Sequence, residues 1–94
     1  MQSIKNPCHP GEILKYEFLI PLDMSACQLA KRLNVPRTRI ERLARETTGV
    51  TVDTALRLAR FFGTSPEFWL NMQRNYDLAQ TDIDVSSIEP LKAA

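Results

Sequence analysis

Arg37, Arg39, Arg42 and Arg45 fall within nine residues of one another, in the stretch RTRIERLAR. A guanidinium is a permanently charged planar fork that can bond phosphate oxygens, or two acceptors on a guanine edge, at once. From Lys31 to Arg45 six basic residues stand against one acid, Glu41, while the whole chain carries a formal charge of only +1. From Asn75 to Ala94 the balance reverses, with four acids against Lys92. Such a distribution implies a local anion site rather than a general polycation, with a merely solvated helix face as the bland alternative.

Little else in the chain suggests chemistry. Its single histidine, His9, adjoins Cys8, and Cys27 lies far off without metal spacing. One imidazole and two thiols make neither a zinc site nor an activated nucleophile. The expectation is therefore no enzyme, no metal and no cofactor, with His9 capping a helix or lying at the surface. The sparse cysteines read as reduced thiols, no apolar run approaches a membrane span, and no signal peptide is seen at the N-terminus, so a cytoplasmic protein is expected.

The basic stretch must be held by helices. Ninety-four residues support one core, and helical periodicity dominates the pattern. Five helices are predicted. The first runs from Pro10 to Ile20 and is stopped by Pro21. Ser25-Ala26-Cys27-Gln28 reads as a capping box opening the second, whose inner face is Ala26, Leu29, Ala30 and Leu33. Asn34 suits a left-handed residue after that helix. The third begins at Val35-Pro36 and reaches Arg45, with Ile40, Leu43 and Ala44 turned inward. Residues 46–50 form a loop. The fourth, capped by Thr51 and ended by Gly63, is given a buried stripe of Val52, Ala55, Leu56, Ala59 and Phe62. Ser65-Pro66-Glu67 opens the fifth, which runs to about Ala79. Residues 1–79 then form the domain and 80–94 a tail, with a short ordered piece around 85–91.

Helices two and three, joined by a short turn, have the pattern of a helix-turn-helix unit. Ala30 permits the close crossing, and Leu29, Leu33, Val35, Ile40 and Leu43 supply the inner contacts. Thr38, Arg42 and Arg45 lie opposite Ile40 and Leu43, with Arg37 and Arg39 flanking them. Arg37, Thr38, Arg39 and Arg42 are accordingly candidate base readers in duplex DNA, Arg39 being shared between base and phosphate. Arg45, Thr47 and Thr48 are candidate phosphate contacts. RNA binding would call for exposed aromatic platforms, which helix three lacks. On helix five, Phe68, Trp69, Leu70, Met72 and Tyr76 spread beyond one stripe. They are candidates for a homodimer interface, with completion of the monomer core as the alternative for Phe68 and Trp69.

The stretches HPGEILKYEFLIPL, SACQLAKRLNVPRTRIERLA and TVDTALRLARFFGTSPEFWLNMQRNYDL resemble the HigA-type antitoxins within the Cro/C1-type (XRE) helix-turn-helix family. The resemblance covers most of residues 9–78. It implies an all-α, five-helix, lambda-repressor-like domain and a homodimer on palindromic operator DNA. It also implies a RelE-like, mRNA-cleaving toxin as partner, which the antitoxin neutralises while repressing its own operon. Ala26, Asn34, Pro36 and the loop RETTG depart from the family pattern (Gln, Gly, Ser and NGKRG), which leaves the expected fold intact and bears on operator sequence and affinity. Two other readings remain open at the level of sequence: a solitary helix-turn-helix regulator without a toxin, and a protein-interaction module that does not bind DNA.

Overall fold

Four of the five α-helices begin on a side chain that accepts from a first-turn amide. In the computed structural model, which describes residues 7–92, the His9 ring nitrogen Nδ1 accepts from the Gly11 amide at 2.9 Å and opens α1 (Pro10–Ile13). His9 therefore caps, as expected, and its ring packs edge-on to Tyr76 at 4.8 Å. The helix does not continue as one regular α-helix to Ile20. Leu14–Leu19 is π-wound, closed by a bond such as Ile20 N–H to Lys15 C=O at 3.0 Å. The wider i→i+5 turn brings Leu14 and Leu19 to one side, and both are buried there.

The Ser25 capping box forms in full before α2 (Ala26–Leu33), with Gln28 N–H to Ser25 Oγ at 3.0 Å and Ser25 N–H to Gln28 Oε1 at 2.8 Å. Then follow α3 (Arg37–Ala44), α4 (Val52–Phe62) and α5 (Pro66–Gln80). No strand occurs among the described residues. Beyond α5 the chain to residue 92 is irregular. The ordered piece expected there is a single turn closed by Ile88 N–H to Val85 C=O at 3.0 Å.

Leu14, Leu29, Ile40, Leu43, Leu58 and Trp69 are the large side chains buried completely at the centre. Each contributes roughly 1.5–3 kcal/mol of hydrophobic stabilisation. Phe18 stacks between Phe62 and Trp69, at 4.5 and 5.3 Å, and so joins the first helix to α4 and α5. Gly11 sits so close to α3 that an added Cβ would lie 1.8 Å from the Leu43 carbonyl oxygen. Absence of a side chain there lets the start of α1 back directly onto the end of α3.

The stripe expected on α4 is rotated. Thr54, Ala55, Leu58 and Ala59 are buried, whereas Val52 and Leu56 are 61% and 53% exposed. With apolar residues at 52, 55, 56, 58, 59 and 62, helical spacing accommodates both faces. The observed rotation places Leu58 in the core and turns Arg57 toward the end of α2.

Three helices end in the same way, on a left-handed residue whose successor bonds back five residues. These are Asn34 after α2 (Val35 N–H to Ala30 C=O, 3.1 Å), Glu46 after α3 (Thr47 N–H to Arg42 C=O, 2.9 Å) and Gly63 after α4 (Thr64 N–H to Ala59 C=O, 3.1 Å). Glycine and asparagine take that backbone at low cost; glutamate does not. Glu46→Gly is expected to raise unfolding stability by about 0.5–1 kcal/mol, measured by urea denaturation. A loss of stability would show that the Glu46 side chain contributes more than its backbone costs.

Candidate nucleic-acid interface

The α2–α3 corner projects the basic segment. Asn34 adopts φ 59°, ψ 46°, turning the chain sharply after Leu33. Ala30, 1% exposed, lets the two helices approach, and Leu29 and Leu33 meet Ile40 and Leu43 in the core. With Ile40 and Leu43 committed inward, the opposite face of α3 is left in solvent. Arg37, Thr38, Arg39, Arg42, Arg45, Thr47 and Thr48 are all exposed. The N-terminus of α3 follows Pro36 and has no side-chain cap, whereas His9, Ser25, Thr51 and Ser65 cap the other four helices. Its first amides are thus open to an anion.

The side chains on this face are not equivalent. Arg37 pairs with Glu41 one turn on, Nε to Oε2 at 3.4 Å, and remains 63% exposed. Such a surface pair is worth well under about 1 kcal/mol and yields readily to a stronger anion. Arg39 is held differently: its Nη1 donates to Asp53 Oδ2 at the start of α4. Arg57 donates from Nε to both oxygens of the same carboxylate, at 3.2 and 3.1 Å. The bond from Arg39, and next that from Arg57, holds the Asp53 carboxyl below the usual range. Arg42 and Arg45 make no ion pair among the described residues.

Thr38, Arg39, Arg42 and Thr48 come together with Asp53 and Arg57 around a concave surface of about 540 Å³ between α3, the following loop and α4. Arg45 lies away from it, beside Lys15 on a smaller groove of about 280 Å³. Thr47 donates its hydroxyl to the Arg42 carbonyl at 3.1 Å, so it closes the end of α3 as well as facing solvent. The loop itself is pinned by Val50 N–H to Gln73 Oε1 at 2.7 Å. Asp53 and Arg57 were not among the residues singled out from sequence. Their i,i+4 acid–base spacing on α4 was the available signal.

The structure also moves one residue of the expected dimer face. Trp69 is entirely buried in the monomer, and its indole N–H donates to Thr64 Oγ1 at 2.8 Å. Its full burial takes it off the surface. Leu70 and Met72 are partly buried against the same core, and Tyr76 lies against His9. Phe68 is 39% exposed and Leu78, further along the same helix, is 70% exposed.

No cluster of three or more histidine, cysteine or acidic residues with metal-binding potential occurs among the described residues. Cys8 and Cys27 are free. Desolvation, and then Glu12, push the Cys8 thiol up and away from the nucleophilic thiolate. No helix is long and apolar enough to cross a membrane.

The profile of the helix-turn-helix family matches residues 15–69, more than half of the chain. The chain belongs to the Cro/C1-type helix-turn-helix family. This is a family of regulators rather than enzymes. Within the family, a relative named virulence-associated protein I of Dichelobacter nodosus is 52% identical over 80 residues, spanning 85% of this chain and 74% of the relative. Among solved structures, the Pseudomonas aeruginosa antitoxin HigA with the higBA promoter matches with a TM-score of 0.77 at 46% identity, over 79% of this chain and 80% of that one. The antitoxin GraA in complex with its operator matches with a TM-score of 0.85 at 38% identity, over 99% of each chain. The family likeness therefore lies with HigA-type antitoxins, and in the GraA complex it extends through the C-terminal tail.

Proposed function

We propose that this protein is an antitoxin that binds duplex operator DNA as a homodimer, represses its own operon and neutralises a RelE-like, mRNA-cleaving toxin in the cytoplasm. The observation that carries the DNA reading is the solvent-facing side of α3, where Thr38, Arg42 and Arg45 are exposed, neither arginine in an ion pair among the described residues, while Ile40 and Leu43 anchor the helix from behind. Two relatives of closely similar fold are described with promoter or operator DNA, which supports the same use here.

In this reading α3 lies in the major groove. Arg42 offers its fork to a guanine edge, Thr38 to either kind of base, and Arg37 exchanges Glu41 for base or phosphate. The uncapped amides of α3, with Arg45 and Thr48 at its far end, fix the register on the phosphates. A two-fold dimer sets two such helices roughly 34 Å apart, on successive major grooves. Phe68 and Leu78 on α5, flanked by Leu70, Met72 and Tyr76, supply the self-association face. The toxin partner rests on the likeness to HigA-type antitoxins.

Binding to a duplex from the protein's own promoter should weaken steeply as salt rises, and Arg42→Ala should cost about 1–3 kcal/mol of operator affinity. Electrophoretic or fluorescence titration reads both; a salt-insensitive complex, or unchanged affinity in the variant, would remove α3 as the reader. Joint replacement Phe68→Glu with Leu78→Glu should shift the sedimenting species from dimer toward monomer, and a dimer of unaltered mass would exclude this face. The product of the neighbouring gene should co-purify with this protein and halt growth when expressed without it. Failure on both counts would leave a solitary regulator in place of an antitoxin.

A further inference from the structure

Asp53 and Arg57 belong to α4, outside the helix-turn-helix unit, yet they hold both of its halves. Arg57 Nη1 donates to the Leu33 carbonyl at 2.7 Å and reaches the Asn34 carbonyl at 3.5 Å. It thereby closes on orphan carbonyls at the end of α2, which that helix cannot satisfy itself. Arg57 Nε grips both oxygens of Asp53, and Asp53 Oδ2 accepts from Arg39 in the first turn of α3. One guanidinium and one carboxylate thus link the last turn of α2, the corner and the first turn of α3 to a single rigid helix. Asp53 stands in the first turn of α4, where the helix dipole also favours its negative charge.

The pairing of the Asp53 carboxylate bears directly on what Arg39 does. Asp53 lines the same hollow as Thr38, Arg42 and Thr48. Were Arg39 to swing out to a phosphate, a carboxylate balanced only by Arg57 would be left facing the DNA backbone. With Arg39 in place, the carboxylate is matched by two guanidiniums. Both side chains are about half exposed, so the pair is modest in strength by itself. Its effect is geometric, because Arg57 ties the same carboxylate to the corner.

We propose that Asp53 is the positioning residue of the reading helix: it retains Arg39 as an internal strut and, through Arg57, sets the angle at which α3 leaves the corner, so that base discrimination falls to Arg37, Thr38 and Arg42. The proposal rests on the DNA-binding reading above, and it revises the expected role of Arg39 from reader to strut.

The test compares operator and unrelated duplex of equal length, across a salt series, for the wild type, Asp53→Asn, Arg39→Ala and the double variant. Asp53→Asn should lower the operator-to-unrelated affinity ratio by about tenfold, the effect of one misplaced bidentate contact. It should also steepen the salt slope by about one, as the released Arg39 finds a phosphate. Arg39→Ala should lower the ratio without reducing the slope, and the double variant should be no worse than the worse single. If instead Arg39→Ala reduces the slope by about one, or Asp53→Asn leaves the ratio unchanged, Arg39 is a direct DNA contact and the proposal fails. Should Asp53→Asn fail to fold, Arg57→Lys keeps the charge but loses the fork spanning Asp53 and Leu33, and should show the same tenfold loss. A readout without DNA separates this from the reading it rests on. The Arg39 and Arg57 guanidinium N–H signals in NMR should exchange slowly in the wild type and rapidly in Asp53→Asn. Rapid exchange in both proteins would refute the strut even if operator binding stands, and slow exchange in the wild type alone would uphold it even if operator binding is absent.

Discussion

The left-handed residue at Asn34 is the constraint from which the interface follows. Leu29 and Leu33 of α2 must share a core with Ile40 and Leu43 of α3, although only three residues separate the helices. A bend that tight needs one residue with positive φ, and it leaves the carbonyls at the end of α2 without helical partners. The first requirement is met locally, by the short asparagine side chain. The second is met from a distance, by Arg57 on α4. Once the corner is set, the outward side of α3 is determined by subtraction, being whatever the buried Ile40 and Leu43 do not occupy.

Much of this was legible because it is written in short-range signals. The serine and threonine caps, the proline at the start of α5, and Asn34 and Gly63 at helix ends each act within one turn, and each lies where the sequence indicates. What escaped depends on longer-range choices. The π-winding of Leu14–Leu19 has no local marker, because it answers the need to bury Leu14 and Leu19 together. The rotation of α4 could not be read from Val52, Leu56 and Leu58 alone, since two apolar stripes satisfy the same periodicity. Glu46 gave no warning of positive φ. Trp69 was ambiguous for a different reason: a bulky aromatic serves a core and an interface equally well until its neighbours are known.

The four arginines of α3 and its end show how little charge alone determines. They are alike in sequence and all exposed, yet the structure separates them by their partners. Arg37 has a loose neighbour in Glu41, Arg39 a doubly used carboxylate in Asp53, and Arg42 and Arg45 no ion pair among the described residues. A helix-periodicity argument places all four on or beside the polar face, because it sees only α3. The acid that distinguishes them lies 14 residues beyond Arg39, on another helix, past a loop that Val50 N–H ties to Gln73.

Burial of Trp69 changes what α5 can offer a second copy of the chain. A helix apolar over much of its surface was expected to serve two interfaces, and it does have two kinds of apolar residue. Trp69 fills the monomer core, where Phe18 and Phe62 pack on it and Thr64 satisfies its indole N–H. Phe68 and Leu78 remain outside, separated by between two and three helical turns, with Glu67, Asn71 and Arg74 also exposed on the helix. A domain this small gains more by spending its largest side chain on its own core than on a contact that exists only when two chains meet. The outward surface that is left is narrower and more polar than the sequence suggests. Any dimer formed there would be held by a small apolar centre within a charged rim.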